Sequence, residues 1–254
     1  MVTAVRWRGL GVLAVGLGSL AALAGLAEYA VTAGWVSKFV LSPPSEVWPA
    51  AVEIYHDEAP FAALFSTLGI TLAAIFLAVG FGLPCGWALW RYQTFGRAYE
   101  GWLGALFASP KLLLYPLFLV LFGRNLGTLL IMGWVTATIP IMLKTREGLM
   151  TVSPVLLNVG RSFNLTDRQM LWKIMLPSAI PVIFTGIRLS MIYTLIAIVA
   201  LEFLLNFGGL GGMVGEMYDR YNIPGMYAAI IFVVLLSLVY FRIVQGIQTW
   251  LRSV

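Results

Sequence analysis

The sequence predicts an all-α, polytopic membrane protein, and three observations carry the prediction. Of 254 residues, 60% are hydrophobic and only 11% charged, with a mean hydropathy of +0.91, so the chain lacks the polar surface to cover itself in water. Apolar runs recur near 9–33, 61–90, 101–122, 126–143, 178–205 and 226–250, each near the length of about 20 residues that crosses a hydrocarbon core as a helix. No stretch shows the strict alternation of a transmembrane β-strand. With no long linker, residues 1–254 are expected to form one domain.

The first segment follows Arg6 and Arg8 and could pass for a signal peptide, with Ala22-Leu23-Ala24 as a weak cleavage site. It runs on through Ala33, longer than a signal's apolar core, so a retained, peripheral helix is expected. The loop 34–60 is expected to be stiff and extended at its start, where Pro43, Pro44 and Pro49 fix the backbone. His56 lies there beside Asp57 and Glu58; without further nitrogen or sulfur donors it reads as a solvated loop histidine and not a metal ligand. In the second segment Gly80, Gly82 and Gly86 permit close helix contact, within one subunit or between two. Cys85, the one cysteine, reads as a packed thiol. Pro84 and Pro116 are expected to bend their helices. Ser109-Pro110 marks a break that puts Lys111 at a helix start.

In the fifth segment Arg188 and Glu202 stand about 21 Å apart along the helix axis and cannot pair. Glu202 either lines an outer gate or bonds the glycine-rich stretch that follows. Each glycine in Gly208-Gly209-Leu210-Gly211-Gly212 disfavours helix by about 1 kcal/mol, which predicts a flexible turn. Tyr115 and Tyr193 are the aromatic residues proposed to line a path.

Charge placement predicts the orientation. Arg91, Arg97, Lys144, Arg146, Arg161, Arg168, Lys173 and Arg252 join Arg6 and Arg8 on one side, which by the positive-inside rule is cytoplasmic with both termini. The net charge of +5 therefore reflects topology and contact with the bilayer surface, and no basic patch on a soluble domain points to nucleic acid.

The most informative stretch is the polar, basic segment 153–177, enclosed by apolar runs. Ser153-Pro154 pairs an N-cap residue with one suited to the first helical position. Asn164 tolerates the left-handed conformation that ends such a helix. Thr166 and Gln169 have capping-box spacing and open a second short helix, which Pro177 is expected to close. A pair of capped helices across one end of a bundle has the form of a docking surface.

This segment resembles the cytoplasmic loop of permease subunits of ATP-binding-cassette importers, whose pattern is E-A-A, three residues, G, nine residues, I, any residue, L-P. Ile174, Leu176 and Pro177 match its end with the spacing intact, while Asn158, Val159 and Gly160 stand at E-A-A and Asn164 stands at G. The words LSPPSEVWPA, SPKLLLYPLFLVLFG, LPSAIPVIFTGIRLSM and ALEFLLNFGGLGGMV extend the resemblance over roughly residues 40 to 250, to the branch importing nitrate, sulfonates and taurine. The resemblance implies a five-helix core over about 60–250 behind the peripheral first helix, and a prokaryotic inner membrane. It implies a separate ATPase subunit holding ATP-Mg, a periplasmic or lipid-anchored solute-binding protein, and a second permease copy, most simply in a homodimer. Phe163, Met170, Leu171 and Trp172 would be apolar anchors for the ATPase, with Arg161, Asp167 and Arg168 as a polar rim and Asn158, Gly160, Asn164 and Pro177 shaping the loop. Tyr115, Arg188, Tyr193, Glu202, Gly208 and Gly211 would belong to the path or gate.

The chain contains no G-x-x-x-x-G-K-[ST], so no P-loop of its own is expected and no cofactor is assigned to it. A membrane-embedded enzyme would need polar residues converging at one depth, and Lys111, Arg188 and Glu202 are scattered. A gradient-driven transporter would leave the capped loop without a purpose.

Overall fold

The computed structural model describes residues 2–57 and 60–253, all helix, turn or loop among those described. Glu58 and the side chains of Arg6, Arg8, Asp57 and Arg252 lie outside the described set. Five helices are long and apolar enough to cross a membrane, and six if one bent pair counts as a single span. The residues fall into two compact units, one of residues through Pro60 with Val214–Val233, the other of Phe61–Met213 with the residues from Val234 on.

In the first unit, α1 (Val2–Thr32) is followed by α2 (Pro44–Asp57). The expected extended loop is therefore largely a helix. The cause lies in a distant side chain: the Glu28 carboxylate of α1 accepts the Ser45 N–H at 3.1 Å and the Ser45 hydroxyl at 2.7 Å, an anion at the N-terminus of α2. Pro44 sits where its missing N–H costs nothing. His56, exposed on α2, meets Tyr55 edge-on at 5.4 Å.

The second unit is built on α6 (Leu126–Met150), whose buried residues include Leu129, Ala137, Ile141 and Leu149. It outlasts the expected apolar run by about two turns because its basic end is paired: Arg146 is buried and bonds Glu100 at 2.6 Å. α3 (Pro60–Arg91) packs on it through Gly82 and Gly86. A Cβ on Gly86 would stand 2.7 Å from the Met142 carbonyl oxygen, while Gly80 faces open space. Gly82 and Gly86 thus serve contact within the subunit.

The third apolar segment is not one straight span. α4 (Gln93–Ala108) and the stretch Lys111–Phe122, which contains α5 (Tyr115–Phe122), meet at 91°. Ser109-Pro110 breaks the segment, and Lys111 donates to the carbonyls of Leu106 at 3.2 Å and Phe107 at 2.8 Å, closing the end of α4. Pro116 starts α5 instead of bending a helix. A Cβ at Gly96 would run into the Leu89 carbonyl and come within 2.9 Å of Arg146 Nε. Gly96→Ala should therefore destabilise the α4–α6 packing by about 1–3 kcal/mol, seen as a lower thermal midpoint in detergent.

Candidate functional site

α7 (Pro154–Ser162) begins at Pro154 as expected, though the Ser153 side chain makes no capping bond. Its end is a Schellman motif. The Leu165 N–H reaches the Gly160 carbonyl at 3.1 Å and the Asn164 N–H reaches that of Arg161 at 2.9 Å, with Asn164 left-handed at φ 51°. Thr166 and Gln169 form both arms of the capping box that opens α8 (Asp167–Met170).

α8 is not a separate helix closed by Pro177. It passes through a π-turn, Leu171–Met175, directly into α9 (Leu176–Leu205), with Pro177 in the first turn of α9. A proline there removes the N–H that the Lys173 carbonyl would accept, and its ring presses on that carbonyl. The π-turn lies directly before this proline, and π-turns are frequent at functional sites. The loop is thereby joined without interruption to a 30-residue membrane helix.

Two contacts fix α7 to this continuous helix. Gly160 is buried, and a Cβ on it would lie 2.6 Å from Met170 Sδ and 2.7 Å from Ile174 Cδ1. Met170 and Leu171, expected as anchors for a partner, instead pack on the chain's own core of Leu149, Val152, Met175, Ala179 and Ile183. The apolar groups left exposed are Phe163 at 76% and Trp172 at 64%. Val155, Leu156 and Val159 are exposed beside them, and with Phe163 they form a stripe at helical spacing on the outward face of α7. Sequence reasoning missed these three, although the 155–159–163 periodicity was the signal. Arg161 and Asn158 on α7 and Asp167 and Arg168 on α8 are all exposed, with Arg161 donating to Asn158 at 3.2 Å. Trp172, Arg168 and Asp167 also line a cleft of about 450 Å³ against Trp87 and Arg91 at the end of α3.

The residues proposed for a path do not converge. Arg188 donates to Gln248 at 2.5 Å and stacks on Phe241, 5.2 Å from the ring centroid. Tyr193 meets Phe107 edge-on at 5.6 Å. Tyr115 packs against the cluster of Leu129, Met132, Leu201 and Leu205. Glu202 is 1% exposed and bonded to the glycine-rich stretch. That stretch turns at Gly208 (φ 73°) and Gly209 (φ 68°) and is helical from there on, with Gly209 opening α10 (Gly209–Asp219). The expected flexible turn is thus mostly a helix.

Comparison with known proteins places this geometry. A family model described as the inner membrane component of binding-protein-dependent transport systems matches residues 78–253. The bicarbonate transport system permease protein CmpB of Synechococcus elongatus is 29% identical over 137 residues, 54% of this chain and 49% of CmpB. The chain thus spans about half the length of that relative. The taurine transport system permease protein TauC of Escherichia coli is 26% identical over 214 residues, covering 82% of this chain and 78% of TauC. An inward-facing structure of the MetNI methionine ABC transporter shares the fold, with a TM-score of 0.65 at 21% identity over 76% of this chain and 95% of that one. The family match takes in α4 to α9 whole, segment 153–177 included, and the chain belongs to the inner membrane components of binding-protein-dependent transport systems.

Proposed function

We propose that this chain forms the translocation path of an ABC importer and takes its power from a separate ATPase subunit that binds ATP-Mg. The observation that carries this reading is the Val155–Val159–Phe163 stripe, an apolar face left bare on a helix that a Schellman motif closes and that Gly160 seats against Met170 and Ile174. Exposed apolar groups ringed by charge are the usual signature of a protein docking site. The basic side, with both termini, is cytoplasmic, and the ATPase docks there. Because α8 is continuous with α9, a displacement of the docked loop is delivered to the far end of the membrane helix. Rocking of the bundle then alternates access to the path.

The solute comes from a binding protein on the opposite side, and the ATP chemistry belongs to the partner, so the chain itself is not an enzyme. Two copies of the chain face each other across the path. The names of the relatives, transporters of bicarbonate and taurine, support a small solute with an oxyanion group. The test is uptake into proteoliposomes holding the chain, its ATPase and its binding protein. Uptake should require ATP inside and the binding protein outside; uptake by the chain alone, driven by an ion gradient, would refute the reading.

A further inference from the structure

Across the bundle from the coupling segment lies a second polar centre with no counterpart in the docking surface. Glu202 is 25 residues beyond Pro177, about 38 Å along α9, and its side chain is buried. A buried carboxylate in a membrane helix is costly unless partners replace its water. Among the described residues no cation is bonded to it, and the partners seen are neutral. The Thr67 hydroxyl on α3 lies 2.9 and 2.8 Å from its two oxygens and donates to the carboxylate. The same hydroxyl oxygen accepts the Leu210 N–H at 2.9 Å, and the carboxylate accepts the Gly211 N–H at 3.1 Å. The donors freed at the first turn of α10 are thus taken by one acid and one hydroxyl, and the carboxylate faces the positive end of that helix.

The fit leaves no room for side chains. A Cβ on Gly209 would overlap the Glu202 carboxylate, and one on Gly211 would overlap the Val199 carbonyl. Gly209 and Gly211 therefore serve close approach, and the positive φ of Gly208 and Gly209 makes the turn that brings α10 onto the carboxylate. The C-terminus of α9 is held by the opposite charge. Arg124, in the turn before α6, donates to the carbonyls of Leu205 and Asn206 and stacks on Phe207 at 5.3 Å. Beneath both lie Leu129, Met132, Leu201 and Leu205, buried together.

We propose that Glu202 is a positioning residue of the outer gate: its carboxylate pins the first turn of α10 to α3 and α9 so that the three move as one block. A displacement arriving along α9 then closes or opens the outer end as a unit instead of being lost in a loose glycine turn. The part played in transport rests on the importer reading; the pinning itself does not.

The experiment uses the complete transporter in proteoliposomes, with hydrogen exchange of the Leu210 and Gly211 amides read on the same preparation. Glu202→Gln and Thr67→Val should each speed exchange at those amides by about tenfold or more. They should lower binding-protein-dependent uptake by a similar factor while complex yield and basal ATP hydrolysis stay at the native level. Thr67→Ser, which keeps the hydroxyl, should behave as the native chain in both readouts. Unchanged exchange in Glu202→Gln would overturn the pinning. Faster exchange with native uptake would overturn the role at the gate. A native complex that shows no ATP-dependent uptake refutes the importer reading and with it the gate role, while the exchange result still decides the pinning.

Discussion

Truncating Phe163 and Trp172 together to alanine should leave the chain inserted and folded but break the link between ATP hydrolysis and transport. Both side chains are mostly exposed, so their loss removes little buried area, and a folding change within about 0.5 kcal/mol is expected. Against a partner the situation reverses. Exposed aromatic groups that fill a partner's pocket are the usual hot spots, each contributing about 2 kcal/mol or more. That is a factor of about 30 per residue in affinity. Uptake should fall by at least that factor while the thermal midpoint in detergent is unchanged. Uptake at the native rate would show that the lever lies elsewhere.

Gly160→Val is expected to have the other large effect, by a different route. Gly160 seats α7 against Met170 and Ile174, with no room for a Cβ. Alanine can be met in part by rotation of the flexible Met170 side chain. Valine is branched and stiff at χ1, and must push α7 away from the π-turn, at about 1–3 kcal/mol for overpacking. The stripe of α7 stays intact on this variant, so the ATPase should still bind and hydrolyse ATP. Transport per ATP should drop by about tenfold or more, with Gly160→Ala in between. Equal loss of binding and hydrolysis would mean that the Gly160 contact serves folding alone.

The parts of the site that sequence made legible are local ones. The left-handed Asn164 and the Thr166–Gln169 box are set by residues within four positions of each other, so their spacing is their mechanism. Pro177 was misread because proline marks a helix's first turn as readily as its end, and only the π-turn before it decides which. α2 and α10 were hidden for a different reason. Each is started by a carboxylate outside it, Glu28 for α2 and Glu202 for α10, and no reading of propensity within the segment contains that partner. The inward turn of Met170 and Leu171 follows from packing against Ala179 and Ile183 a few turns along α9. The stripe at Val155, Leu156 and Val159 was visible in principle. Its periodicity is that of a buried face, and only the fold shows that no described residue covers it.

The most direct test of the central claim is recovery of the tagged chain from its native membranes in mild detergent, with crosslinkers placed at Arg161 and Arg168, beside the stripe. The account predicts that a soluble P-loop ATPase is recovered and is crosslinked at both positions. Recovery of the chain without such a partner, still transporting with no ATP present, would contradict it.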